Sequence, residues 1–268
     1  AMDVARFGDY CTPSYTRLKV TENYQRRFTV SYPNEELPAA RPLDTTPAYG
    51  LWQQQNAVFG AAYGMEHVNY FAPQDEEPYE IPSFRRSNAF AVIGEECRAV
   101  RAAVGLNEVH NFGKYEFSGE GARACLDRIM AGRIPQPGRL SLNPMLSPKG
   151  RIMGDFTVAC LDEKRFQVTA SFAAQAYHMR WFEDHLSDDD VKLENVSKQR
   201  IGFQIAGPRA QQLLASITRA DVSSAAFPFL SVREIDVGQF QAIVQRVSYT
   251  GDRGYEIYVP WHHQAGLY

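Results

Sequence analysis

Two stretches of the 268-residue sequence combine residue types and spacings that could do chemistry. The first is Tyr249-Thr250-Gly251-Asp252-Arg253-Gly254-Tyr255-Glu256, which follows an apolar run at 242–247. Gly251-Asp252-Arg253-Gly254 is good turn chemistry between two strands, and a β-hairpin alone accounts for it. The run also suits a flat ligand. Glycine lets backbone approach a ring closely, which makes Gly251 a candidate contact. Tyr249 can hydrogen-bond or stack, and the Glu256 carboxylate can accept two hydrogens from a paired donor edge such as that of an aminopyrimidinone. The two readings are compatible. The second stretch, Lys149-Gly150-Arg151-Ile152-Met153-Gly154-Asp155-Phe156-Thr157-Val158, reads as a hairpin turn at 148–150 followed by a strand. Here Asp155 either faces water or sits among Ile152, Met153, Phe156 and Val158. In an apolar setting a carboxylate is costly to bury, and a raised pKa or a ligand contact would resolve that cost.

Other candidates carry less. Gly119-Glu120-Gly121-Ala122-Arg123-Ala124 imitates a dinucleotide fingerprint between a strand and a helix. That fingerprint also needs a hydrophobic second strand and an acidic residue about 20 positions on. Residues 139–144 supply neither, so these glycines are expected to serve a strand-to-helix turn. His262 and His263 are adjacent and do not face one ligand on a helix. His178 and His185 fall on an amphipathic segment at 173–186 and are expected at its surface or boundary. No Ser/His/Asp or Cys/His arrangement can be assembled from spacing. Cys11, Cys97, Cys125 and Cys160 are widely spaced with no CxxC pair, which argues against a metal site or a disulfide framework and for a reducing compartment.

The elements that must position these residues follow a coarse order. Residues 1–56 are a polar, aromatic-dotted lead punctuated by prolines, with candidate helices at 15–28 and 47–55. Residues 57–71 suit strands or a tight hairpin, and 72–82 an acidic linker. A helix at 88–104, a strand at 114–118, a helix at 121–130, strands at 139–145, 151–161 and 165–170, and a helix at 173–186 come next. The theme repeats with strands at 191–196 and 201–206, a helix at 208–217, and strands at 232–237, 241–248 and 254–259. Strands outnumber helices and several are joined by hairpin-length turns, which predicts antiparallel α+β layers rather than a parallel doubly wound sheet.

Composition excludes several classes. Hydrophobic residues at 44%, charged residues at 22% and a net charge of -3 describe a globular chain. The longest basic cluster, Arg85-Arg86, is too short to track phosphates, so nucleic acid is not an expected partner. No stretch approaches the roughly 18 to 20 apolar residues of a membrane helix, and residues 1–10 lack the apolar segment of a signal peptide. A soluble protein without a membrane partner is expected, cytoplasmic or, in a eukaryote, in the mitochondrial matrix.

At its two motifs the sequence resembles the glycine-cleavage T-protein (aminomethyltransferase) superfamily. Members show a Gly-Gly-Ile-hydrophobic-Asp-Asp strand and, further on, Tyr-Thr-Gly-Glu-Asp-Gly-aromatic-Glu. Their counterparts here are Gly150-Arg151-Ile152-Met153-Gly154-Asp155 and Tyr249 through Glu256. Ile205-Ala206-Gly207-Pro208-Arg209-Ala210 matches the family's strand-Gly-Pro-helix connection, and Gly105-Leu106 through Phe112-Gly113-Lys114 its Gly-Leu-x-Asp-x-Ser strand. Upstream, Asp3-Val4-Ala5-Arg6-Phe7-Gly8, Tyr24-Gln25-Arg26-Arg27, Pro33-Asn34-Glu35-Glu36 and Ala57-Val58-Phe59-Gly60 look like the segment joining the flavin and folate domains of dimethylglycine and sarcosine dehydrogenases. Ser83-Phe84-Arg85-Arg86-Ser87-Asn88 and Phe227-Pro228-Phe229-Leu230 fit that branch too.

The resemblance implies an α+β fold of duplicated ferredoxin-like antiparallel sheets with packed helices, stopping before a C-terminal β-barrel. It implies a linker at 1–56 and a folate-binding domain at 57–268, incomplete at its carboxyl end. The implied activity is tetrahydrofolate-dependent capture of the carbon released from a small N-methyl amine, of the dimethylglycine or sarcosine type, as 5,10-methylenetetrahydrofolate. FAD would belong to an upstream domain in the same or a partner polypeptide, and the chain alone would be inactive. By motif match Asp155 is the catalytic carboxylate, Glu256 anchors the pterin, and Tyr249, Gly251 and Leu142 line the folate pocket. The sequence departs from the pattern at Gly154, where the family has its first acidic residue, at Leu142, where it has an aromatic one, and at Glu108-Val109-His110, where it has Asp-x-Ser. Alternative implications are a redox-neutral folate-dependent methyltransferase of the dimethylsulfoniopropionate demethylase kind, or a non-catalytic folate-binding accessory protein.

Overall fold

The structure, a computed structural model, describes residues 8–186 and 190–268; the Asp3-to-Phe7 part of the upstream resemblance lies outside the described residues. The chain divides into two compact units between Arg98 and Ala99. In the first, α1 (Pro13–Gln25) opens with proline in its first turn and is capped by Thr12, whose Oγ1 accepts from the Tyr15 backbone N–H at 3.3 Å. Next come α2 (Tyr49–Gln54) and an antiparallel hairpin of β1 (Ala57–Ala62) and β2 (Met65–Phe71). Arg41 holds the buried Glu66 carboxylate in a fork, donating from Nε at 2.9 Å and from Nη2 at 2.6 Å. The unit's chain then enters α3 (Ala89–Ala102).

The second unit is built from β3 (Gly105–Glu108), β4 (Phe112–Ser118), α4 (Ala122–Ile129), β5 (Arg139–Leu146), β6 (Ile152–Asp162), β7 (Arg165–Ser171), α5 (Gln175–His185) and β8 (Lys192–Asn195). These are followed by β9 (Arg200–Ala206), α6 (Ala210–Ile217), β10 (Val232–Val237), β11 (Phe240–Gln245), β12 (Gly254–Pro260) and the short α7 (Gln264–Leu267). One antiparallel sheet has the order β5-β6-β7-β4-β8, the other β10-β11-β12-β9-β3. The two orders are one pattern used twice, as expected. Each repeat lends its first strand to the sheet of the other: β3 pairs with β9, and β8 with β4. Periodicity alone does not find β3, because its four residues are too few and too polar to give a signal.

Side-chain alternation decides what each face meets. In β4, Tyr115 and Phe117 point outward to α4 and α5, where they join Leu126, Ile129, Phe156, Phe166, Val168 and Phe182. On the second sheet, Ile205, Val244, Tyr255 and Ile257 point outward to Ala210 and Leu214 of α6. The inner faces meet each other, with Leu140 and Ala159 packed on Val232, Ile243 and Tyr258. The layers therefore run helix, sheet, sheet, helix. At one edge the sheets share backbone hydrogen bonds, Leu140 N–H to Leu230 O and Val232 N–H to Gly138 O, both 3.0 Å. Arg200 of β9 crosses the layer to pair with Glu116 of β4 and donates to Gln167 Oε1 of β7 at 3.2 Å.

Gly119 makes the expected strand-to-helix turn, with φ at +118° and space for no side chain, since a Cβ would lie 2.2 Å from the Asp190 carbonyl oxygen. Gly202 leaves no room for a side chain between β9 and β12: a Cβ there would meet the Ile257 carbonyl oxygen at 1.8 Å. Gly202→Ala is accordingly expected to cost about 1–3 kcal/mol of stability through overpacking. Urea unfolding checks this, and an unchanged midpoint would contradict the close β9–β12 approach.

Candidate functional site

Glu256 points inward from the middle strand of a three-strand row. Gln245 of β11, Glu256 of β12 and Gln204 of β9 lie side by side in register. One step along the same face, Ile243 and Tyr258 pack against Leu140 and Ala159 of the other sheet, so the row faces the inter-sheet layer. All three side chains are buried, as are Lys114, Gln167 and Thr169 on the facing sheet. The Tyr258 hydroxyl donates to Glu256 Oε2 at 2.6 Å. Lys114, wholly enclosed, donates from Nζ to the Phe112 carbonyl at 2.8 Å.

This setting shifts each charge. Burial drives the Lys114 ammonium from its ordinary 10.5 down to about 7, and the Glu256 carboxylate opposes the drop. Burial pushes Glu256 above its ordinary value, while the Tyr258 hydrogen bond and Lys114 pull it back. Burial and the adjacent carboxylate hold the Tyr258 phenol well above its usual range. Buried amides normally find partners. Among the described residues, however, Gln204 Nε2, Gln167 Nε2 and both ends of the Gln245 amide have none.

The rest of the Tyr249–Glu256 run is separated from Glu256. β11 and β12 are antiparallel neighbours, so the hairpin reading holds, but residues 246–253 form an eight-residue connection rather than a tight turn. Tyr249 stands on it 84% exposed. Gly251 takes φ +78°, the left-handed region that favours glycine. Asp155 and Leu142 lie together elsewhere: Leu142 pairs with Thr157 and Pro144 with Asp155, which puts both residues on the inner-facing side of the first sheet. That end of the sheet is open, with Leu142 70% exposed and Asp155 in water. The apolar setting considered for Asp155 is thus corrected. Phe156 and Val158 turn to the helix side, and alternation takes Asp155 the other way.

His178 also departs from expectation. It is buried, not at a surface, because it shares the sheet-facing side of α5 with Phe182. Its Nδ1 is hydrogen-bonded with the Tyr115 hydroxyl at 3.1 Å, and burial lowers it to about 4 against the pull of Asp155. His178 explains Gly154 as well. A Cβ at 154 would lie 2.9 Å from His178 Nε2 and 2.8 Å from the Phe156 ring, leaving no room for the acidic side chain of the family pattern. Lys114, Gln204, Gln245 and Tyr258 escaped the sequence reading. For Tyr258 a signal existed, since it lies two residues from Glu256 on the same strand face. Among the described residues no group of three or more His, Cys, Asp or Glu could hold a metal ion, and no helix is long and apolar enough to cross a membrane.

Comparison with known proteins bears on the whole chain. Dimethylglycine dehydrogenase, mitochondrial, of Homo sapiens is 31% identical over 271 residues, covering 100% of this chain and 31% of that protein. Aminomethyltransferase of Bacillus subtilis is 33% identical over 218 residues, covering 81% of this chain and 54% of that protein. The chain therefore spans about a third to a half of the length of these relatives. Glycine cleavage system aminomethyltransferase T from Bartonella henselae shares the fold, with a TM-score of 0.69 at 20% identity over 84% of this chain and 56% of that one. A model described as the FAD dependent oxidoreductase central domain matches residues 1–46. The model described as the GCVT N-terminal domain matches residues 48–268, most of the chain, and the chain belongs to that family.

Proposed function

We propose that this chain binds tetrahydrofolate between its two sheets and serves the capture of a carbon released from a small N-methyl amine, of the dimethylglycine or sarcosine kind, as 5,10-methylenetetrahydrofolate. The observation that carries the reading is Glu256, a carboxylate buried in a layer where Gln167, Gln204 and Gln245 carry unpartnered amide atoms. Such a layer fits the polar edge of a heterocycle better than it fits a core built for stability. Membership of the GCVT N-terminal domain family and the dimethylglycine dehydrogenase relatives support the same choice.

When bound, tetrahydrofolate supplies the nitrogen that takes up the carbon. The residues of the chain do the rest. Glu256 would accept hydrogens from the ring N–H and the exocyclic amine, with the Tyr258 hydroxyl fixing one of its oxygens. Asp155, in water at the open end of the layer, takes the proton that the attacking nitrogen sheds, or stabilises positive charge developing there. Leu142, at the open end of the layer, and Tyr249 and Gly251, on the connection at 246–253, would line the folate pocket. No flavin site is assigned to these residues. The match of residues 1–46 to a flavin-oxidoreductase central domain supports a flavin domain in the same or a partner polypeptide.

Isothermal titration with tetrahydrofolate tests the binding claim. Glu256→Ala should weaken binding by about a hundredfold, the loss of two charge-assisted hydrogen bonds; unchanged affinity would remove the reading. Asp155→Asn should leave affinity nearly intact while slowing carbon transfer by about 10²- to 10⁴-fold, and an equal rate would take Asp155 out of the chemistry.

The charge state of the layer can be checked without ligand. Folded, Lys114 gives up its proton near pH 7, whereas the unfolded chain keeps it to about 10.5. Across that window the unfolded state binds the extra proton, so unfolding free energy rises with pH, by up to about 1.4 kcal/mol per unit. Glu256 works oppositely, since its raised value makes stability fall as pH climbs just above 4.5. From pH 7 to 9.5 the protein should gain stability relative to its Lys114→Met variant. Parallel denaturation curves across that range would show that Lys114 is not buried as charged-group chemistry requires.

A further inference from the structure

The two glutamines beside Glu256 call for an explanation of their own. An amide kept in a core for stability is paired, because an unpaired buried polar group weakens the fold. Gln245 is fully enclosed with neither end of its amide partnered, and Gln204 has an unpartnered Nε2. Both are in register with Glu256 on adjacent strands, one on each side. Neighbouring strands lie about 4.8 Å apart, near enough for three polar heads to converge on one ring edge. Read across the strands, the row offers a donor, two carboxylate acceptors and a donor. A 2-amino-4-oxopyrimidine edge presents the converse: a carbonyl acceptor, a ring N–H donor, an exocyclic amine donor and a ring-nitrogen acceptor.

We propose that Gln204 and Gln245 are specificity-determining residues that donate to the two outer acceptors of a 2-amino-4-oxopyrimidine edge whose two central donors Glu256 accepts. This rests on the folate reading above and assigns the rest of the edge. Glu256 and Gln204 keep 7% and 6% of their surface exposed, whereas Gln245 keeps none, so the ring reaches the row from the Glu256–Gln204 side. Without ligand the row is a liability to the fold, and that sets the sign of the test.

Gln204→Leu and Gln245→Leu, made singly, keep side-chain bulk and remove the unpaired amide. Thermal unfolding without ligand and titration with 5-formyltetrahydrofolate should respond in opposite senses. The unfolding midpoint should stay or rise, as expected when an unsatisfied buried amide gives way to an apolar group, while affinity drops at least about tenfold in each variant. A lowered midpoint would show that the amide has a structural partner and would overturn the assignment. So would full affinity in both variants, and that result leaves the folate reading standing, because the unsubstituted protein still binds. If the unsubstituted protein takes up no 5-formyltetrahydrofolate, the folate reading fails and the assignment falls with it.

Discussion

The burial of two ionisable groups in one layer, Lys114 on one sheet and Glu256 on the facing one, is the constraint on which the polar part of the second unit depends. An amine and a carboxylate leaving water each lose several kcal/mol of solvation, and mutual attraction restores this only with good partners around them. Here the partners are few: a backbone carbonyl for the lysine and a tyrosine hydroxyl for the glutamate. The pair can persist because the apolar end of the same layer, Leu140 and Ala159 on Val232, Ile243 and Tyr258, holds the sheets together beside it. Arg200 with Glu116 and the shared backbone bonds at the edge add further ties. Apolar packing occupies one part of the layer and the polar row the part beside it.

That division explains what could and could not be read from sequence. The strands, the helices and their repetition were legible, because β4, β7, β9 and β12 each alternate or run apolar in ways that only strands do. The polar half of the alternation was misleading. Lys114, Gln167 and Thr169 look like the water-facing side of amphipathic strands, and so does Gln204 in an otherwise apolar run. Only the pairing of one sheet with the other shows that this side is covered, and no local pattern encodes a contact between strands so far apart in the chain. Glu256 was legible through its motif and turned out buried. Asp155 was legible through its motif too, but the cost assigned to it was misplaced, because register, not neighbours in sequence, decides which face a strand residue takes.

Gly154 and His178 are two sides of one packing arrangement. The imidazole and the Phe156 ring occupy the space that an acidic side chain at 154 would need. This strand therefore carries one carboxylate, Asp155, where the resembled pattern has two, and the neighbouring histidine, held neutral by burial, adds no charge.

The exchange of β3 and β8 between the sheets has a meaning for how such a molecule is made and kept. A ribosome delivers β3 before any strand that can pair with it, and the first sheet stays open at one edge until β8 emerges. Neither half can finish as a free-standing body while the other is still being synthesised. The two repeats in this way depend on each other for a complete sheet. Parting the repeats would strip a strand from each sheet and open the polar seam between them.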